Sequence, residues 1–143
     1  MIPLAGLGQG AKSLDAEALG RELAEALNPG TALLLYGDLG AGKTTLAREV
    51  VRNLTGAEDV VSPTFTLVQI YEGNSRTVAH YDLYRLRSVA EVFELDLDAN
   101  LANNIVIIEW PEIIAPYLKA RPHIAVRLEI RGAERFYTLN SNT

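Results

Sequence analysis

Cysteine is absent from this 143-residue chain, which excludes disulfides and cysteine-ligated zinc. Histidine occurs only at His80 and His123, so a histidine-built metal centre is not expected. No apolar run approaches the roughly 20 residues of a membrane span, and the opening residues lack the basic, then apolar, then small order of a signal peptide. A cytosolic protein without membrane association is expected. Positive charge is scarce too: 13 Lys and Arg stand against 18 Asp and Glu, a net charge of −5. Phosphate neutralisation dominates affinity for nucleic acid, so an acidic chain is a poor stand-alone binder of it. The deficit is uneven, with eight basic against sixteen acidic residues over 1–116 and five against two over 117–143. Lys119, Arg121, Arg127, Arg131 and Arg135 make the tail locally basic, which suits either the solvated faces of two terminal strands or contact with a phosphate or acidic partner. Asn-Lys-x-Asp, the usual guanine-selecting element, is missing too, so selection of a guanine base is not expected.

What is present is a phosphate-binding loop. Gly37-Asp38-Leu39-Gly40-Ala41-Gly42-Lys43-Thr44 fits G-x-x-x-x-G-K-[ST]. Glycines let successive backbone N–H groups turn toward an anion, Lys43 reaches the β/γ-phosphates, and the Thr44 hydroxyl is placed to ligate Mg²⁺. Thr31 to Tyr36 reads as a buried strand before the loop, and Thr45 to Leu54 has helical periodicity after it. That order matters because the helix N-terminus adds N–H groups and a favourable dipole.

Elsewhere, Ser13 is expected to cap a helix through about Leu27, stopped by Pro29-Gly30. Val60–Phe65 and Thr66–Tyr71 read as two strands with a loop around Pro63. A turn at Glu72–Ser75 and the run Thr77–Tyr81 complete a hairpin. A helix is expected over Val89–Leu97, a buried strand at Ile105–Ile108, a short helix from Pro111 to about Leu118, and closing strands at Ile124–Ile130 and Phe136–Leu139. The whole predicts an α/β fold: one P-loop NTPase domain over 1–143, with a mixed, mostly parallel central sheet, an inserted antiparallel hairpin and flanking helices.

A phosphate loop needs carboxylates at nearby strand ends to hold Mg²⁺ and to orient a nucleophile. Asp82 follows Val78–Tyr81 and Glu109 follows Ile105–Ile108, and a carboxylate at the carboxyl end of a parallel strand shares the crevice with the loop. Both also suit ordinary surface carboxylates at strand ends. Ser62-Pro63-Thr64 reads either as a switch, with Thr64 sensing the γ-phosphate or ordering water, or as a proline-stiffened turn. Tyr36, Tyr84 and Trp110 suit either core or base contact. Arg85 and Arg87 could steady phosphates.

Four motifs in order, Gly37–Thr45, Ser62–Val68, His80–Leu86 and Ile108–Glu112, resemble the bacterial TsaE (YjeE) ATPases, from about Leu14 to Glu112. The resemblance implies a role in making N6-threonylcarbamoyladenosine next to the anticodon of tRNAs that read codons beginning with A. It implies TsaD and TsaB as partners, with tRNA met through their complex. ATP binding and slow Mg²⁺-dependent hydrolysis would reset that complex, while the group transfer itself belongs to TsaD. Carried over by position, Gly37 to Thr45 would cradle the phosphates, with Lys43 catalytic and Thr44 on Mg²⁺. Glu109 matches the acidic metal-site residue and Asp82 the carboxylate needed for hydrolysis, with direct ligation of Mg²⁺ open between the two. Thr64 lies in the switch-like loop and Trp110 beside the site. The segment around Lys12-Ser13 resembles the region closing over adenine, although Ala16 stands where family members often have threonine, and Arg135 is a further candidate nucleotide contact. Two alternatives share the loop: a small P-loop kinase, and a nucleotide-gated binding module without significant turnover.

Overall fold

A computed structural model describes residues 11–58, 60 and 67–142. Their strands form one seven-stranded sheet. In chain order the elements are β1 (Lys12–Ser13), α1 (Ala16–Ala26), β2 (Ala32–Tyr36), α2 (Lys43–Thr55), β3 (Val68–Gly73), β4 (Arg76–Asp82), α3 (Val89–Phe93), α4 (Leu97–Asn103), β5 (Ile105–Glu109), a 3₁₀ turn (Pro111–Ile113), α5 (Ala115–Leu118), β6 (His123–Arg131) and β7 (Glu134–Ser141). The sheet order is β1-β7-β6-β2-β5-β4-β3. β6, β2, β5 and β4 run parallel at the centre, while β3, β7 and β1 are antiparallel additions at the two edges. The expected mixed, mostly parallel sheet with an antiparallel hairpin is what the chain builds. Among the described residues no helix is long and apolar enough to cross a membrane.

Alternation within the strands assigns the two faces. Leu33 and Leu35 of β2, with Ile105 and Ile107 of β5, pack under α1 and α2 together with Leu23, Leu46, Val50 and Leu54. Ala32 and Leu34, with Val106 and Ile108, pack on the other face against Val92, Leu97, Leu101 and Leu118. Both faces of β2 and β5 are therefore covered, which is why these strands read as unbroken apolar runs. The alternation also carries function. Glu109 follows Ile107 in step on the α2 side, and His80 and Asp82 follow Val78 there.

The expected cap at Ser13 is corrected to Asp15, whose Oδ1 accepts the Ala18 N–H at 3.1 Å. Ser13 is instead spent on the short edge strand β1, opposite Phe136. The helix expected over Val89–Leu97 ends at Phe93, and the chain then turns through Asp96, left-handed at φ 57°, into α4, a helix not expected from the sequence. The hairpin turn narrows to Asn74-Ser75, both at positive φ, as tight two-residue hairpin turns require. The strand expected over Val60–Phe65 and the loop Ser62-Pro63-Thr64 fall, apart from Val60, outside the described residues.

Candidate nucleotide site

The loop Gly37–Gly42 joins the carboxyl end of β2 to the N-terminus of α2. Gly42 sits immediately before Lys43 at φ 107°, a conformation that side chains rarely adopt, and so lets the loop turn straight into the helix. Gly37, at φ 146°, has a second constraint: a Cβ there would lie 2.8 Å from the Leu128 carbonyl oxygen of β6. The tip is tied to a strand two places from β2 in the sheet, since Arg135 Nε of β7 donates to the Gly40 carbonyl at 3.1 Å.

Beside the loop, one helix-borne and two strand-borne groups form a chain of contacts. Thr44 Oγ1, in the first turn of α2, donates to Glu109 Oε1 at 2.8 Å. Glu109 Oε2 lies 2.6 Å from His80 Nε2. Both Glu109 and His80 are buried, at 2% and 0% exposure. Asp82 lies directly opposite Glu109 in the β4–β5 register, and its Oδ1 accepts the Tyr84 N–H at 3.0 Å. Two carboxylates thus end adjacent parallel strands on the loop side of the sheet, the crevice where open α/β sheets bind ligands.

Lys43 is buried (5% exposed) and its Nζ donates to the carbonyls of Gly37 and Asp38, the latter at 2.9 Å. The same ammonium stands 4.0 Å from the Trp110 ring centroid, and Trp110 in turn meets Tyr84 with ring centroids 4.6 Å apart. Trp110 is itself left-handed (φ 57°, ψ 58°), which for such a residue costs about 1–2 kcal/mol and swings its ring over the loop. Burial lowers the Lys43 pKa from its ordinary value. Glu109, Glu112, Asp82 and Asp38 pull in the other direction.

These groups line a cleft of about 720 Å³. Of the residues singled out from sequence, Leu39, Gly40, Gly42, Lys43, Thr44, Thr45, Asp82, Tyr84, Arg85, Glu109, Trp110 and Arg135 border it. Gly37 and Asp38 lie behind it as acceptors for Lys43, and Ala41 is packed into the core at 1% exposure. Ser13 does not line the cleft. Its neighbours Leu14 and Ala16 do, beside Arg135. Thr64 lies outside the described residues. Sequence reasoning missed Leu67 as a wall residue and His80 as the partner of Glu109; the alternation Val78, His80, Asp82 is the signal that could have found the latter. The donor set of one hydroxyl and two carboxylates consists of hard oxygens. It suits a magnesium ion that takes its remaining ligands from phosphates and water.

The family model for the threonylcarbamoyl adenosine biosynthesis protein TsaE matches residues 11–137. The tRNA threonylcarbamoyladenosine biosynthesis protein TsaE of Rickettsia felis is 44% identical over 117 residues, covering 81% of this chain and 68% of that one. The protein of the same name from Mycobacterium leprae is 38% identical over 124 residues, covering 80% and 76%. The crystal structure of Bacillus subtilus YdiB superposes with a TM-score of 0.73 at 26% identity, covering 94% of this chain and 88% of that one.

Proposed function

The chain belongs to the TsaE family, and from that premise we propose that it is a Mg²⁺-dependent ATPase serving tRNA threonylcarbamoyladenosine biosynthesis in the cytoplasm. The observation that carries the reading is the Thr44–Glu109 hydrogen bond, which joins the loop's hydroxyl to a carboxylate from a different strand. In this reading the backbone N–H groups of Gly40–Thr45 hold the phosphates, and Lys43 exchanges loop carbonyls for phosphate oxygens. Thr44 and Glu109 hold Mg²⁺, which when bound neutralises charge on the phosphate oxygens. Asp82, oriented by the Tyr84 N–H, accepts a proton from or aligns the attacking water. Leu14, Ala16 and Arg135 border the end of the cleft where the base would lie. Arg85 lines the same cleft and is the observation that favours the kinase alternative, since an arginine there could serve a phosphoryl acceptor.

TsaD and TsaB are the proposed partners, with tRNA met through their complex and ATP turnover resetting it. The deciding experiment measures phosphate release from ATP with Mg²⁺, alone and with TsaB and TsaD. Stimulation by the partners supports the proposal. Transfer of labelled phosphate to a metabolite favours the kinase, and equal support of tRNA modification by ATP and a non-hydrolysable analogue over many cycles favours a binding module.

A further inference from the structure

His80 is a residue that packing alone does not account for. Its ring is fully buried on the α2 side of β4, yet Nδ1 has no hydrogen-bond partner among the described residues. A phenyl or isobutyl group would fill the same space without stranding a polar atom. Among the described residues the one polar contact the ring makes is from Nε2 to Glu109 Oε2, at 2.6 Å. The β4–β5 register sets His80 opposite Ile107 and Asp82 opposite Glu109, so the ring reaches forward along the shared face to the carboxylate. From the other side Thr44 Oγ1 occupies Oε1.

We propose that His80 is a positioning residue for the metal site: by donating Nε2–H to Oε2 it fixes the Glu109 carboxylate so that Oε1 stays beside the Thr44 hydroxyl. A glutamate has enough side-chain freedom to rotate its carboxylate away from an approaching cation. Held at one oxygen by a buried ring, it loses that freedom before the metal arrives. His80 touches neither nucleotide nor metal in this scheme, so nucleotide binding without metal does not depend on it. The assignment rests on the proposed nucleotide site and adds a residue to it.

Gln and Asn substitutions separate positioning from packing, because a Gln amide nitrogen reaches the place of Nε2 and that of Asn does not. ADP affinity in EDTA, and the Mg²⁺ midpoint at saturating ADP, are measured by calorimetry for wild type, His80→Gln and His80→Asn. In EDTA the three bind ADP alike. With Mg²⁺, His80→Asn shifts the metal midpoint upward by about tenfold, and His80→Gln recovers most of that. Equal midpoints in all three proteins, equal damage in both variants, or a parallel loss in EDTA overturns the positioning role. Failure of the wild type to bind ADP at all overturns the nucleotide site itself, which is a different result. A readout without variants is the ring's tautomer by nitrogen-15 NMR of the wild type. Protonation at Nε2 is expected, and a neutral ring protonated at Nδ1 instead overturns the proposal.

Discussion

Thr44 and Glu109, 65 positions apart in sequence, are joined by a 2.8 Å hydrogen bond between the first turn of α2 and the end of β5. The contact sets a buried carboxylate against the residue after the loop lysine, and in the proposed function the two hold one ion. Glu109→Gln keeps the side chain's size and removes its charge. Its expected effect is a fall of about a hundredfold in Mg²⁺-dependent phosphate release, with ADP binding in EDTA preserved. Undiminished turnover would remove Glu109 from the metal site.

Lys43 has both the proposed phosphate role and the contact with Trp110. Replacing it by Met keeps the stem in the core and deletes the ammonium. Nucleotide affinity should fall by about 2–3 kcal/mol, the worth of hydrogen bonds to a charged group. Trp110 is the chain's only tryptophan, so its emission should also change on substitution, and should change on nucleotide binding in the wild type but not in the variant. Titration of nucleotide followed by fluorescence checks both statements.

Asp82 is tied at Oδ1 to the Tyr84 N–H and so can orient a water without being a tight ligand. Asp82→Asn is expected to reduce phosphate release by about a hundredfold or more while changing ATP affinity by less than about threefold. Equal losses in both quantities would make it a binding residue.

Gly73 closes β3 against the end of α2, where a Cβ would lie 2.0 Å from the Thr55 carbonyl oxygen. Backbone must move to relieve that overlap. Gly73→Ala should therefore cost about 1–3 kcal/mol by urea denaturation. An unchanged midpoint would show that the hairpin shifts freely.

Tyr81 anchors the other face: its hydroxyl donates to the Leu95 carbonyl at 2.7 Å and accepts from Asn100 Nδ2 at 2.8 Å. Burial raises its pKa above 10.0, with Asp96 adding to the rise and the Asn100 hydrogen bond opposing it. The folded state thus favours the neutral phenol. Its contribution is full below the unfolded pKa near 10.0 and is lost as pH rises through the higher folded value. Thermal melting should fall through that alkaline window. Tyr81→Phe should make the fall shallower while costing about 1–3 kcal/mol at neutral pH through the unpaired Asn100 amide. Tyr36 and Tyr137, shifted upward by burial as well, keep the slope from vanishing.

The phosphate loop and its flanking elements were legible because a local pattern specifies them: an apolar run, glycines at fixed offsets, then helical periodicity. Asp82 and Glu109 were legible as strand ends for the same reason. What lay hidden depends on partners far along the chain. β1 is two residues long and exists only because β7 offers Phe136 and Tyr137 to pair with. The break between α3 and α4 turns on one left-handed aspartate inside a run whose apolar spacing continues across it. The His80–Glu109 contact requires knowing that β4 and β5 are parallel neighbours and in which register, which neither strand's sequence states alone.

The central strand β2 precedes both of its neighbours along the chain: it ends at Tyr36, whereas β5 begins at Ile105 and β6 at His123. Arg135, which holds the Gly40 carbonyl, comes later still. On the ribosome, the phosphate-loop sequence therefore emerges long before the strands that hold it in shape. Assembly of the cleft waits for the residues through Arg135, and until they emerge the nascent chain carries the motif without the site.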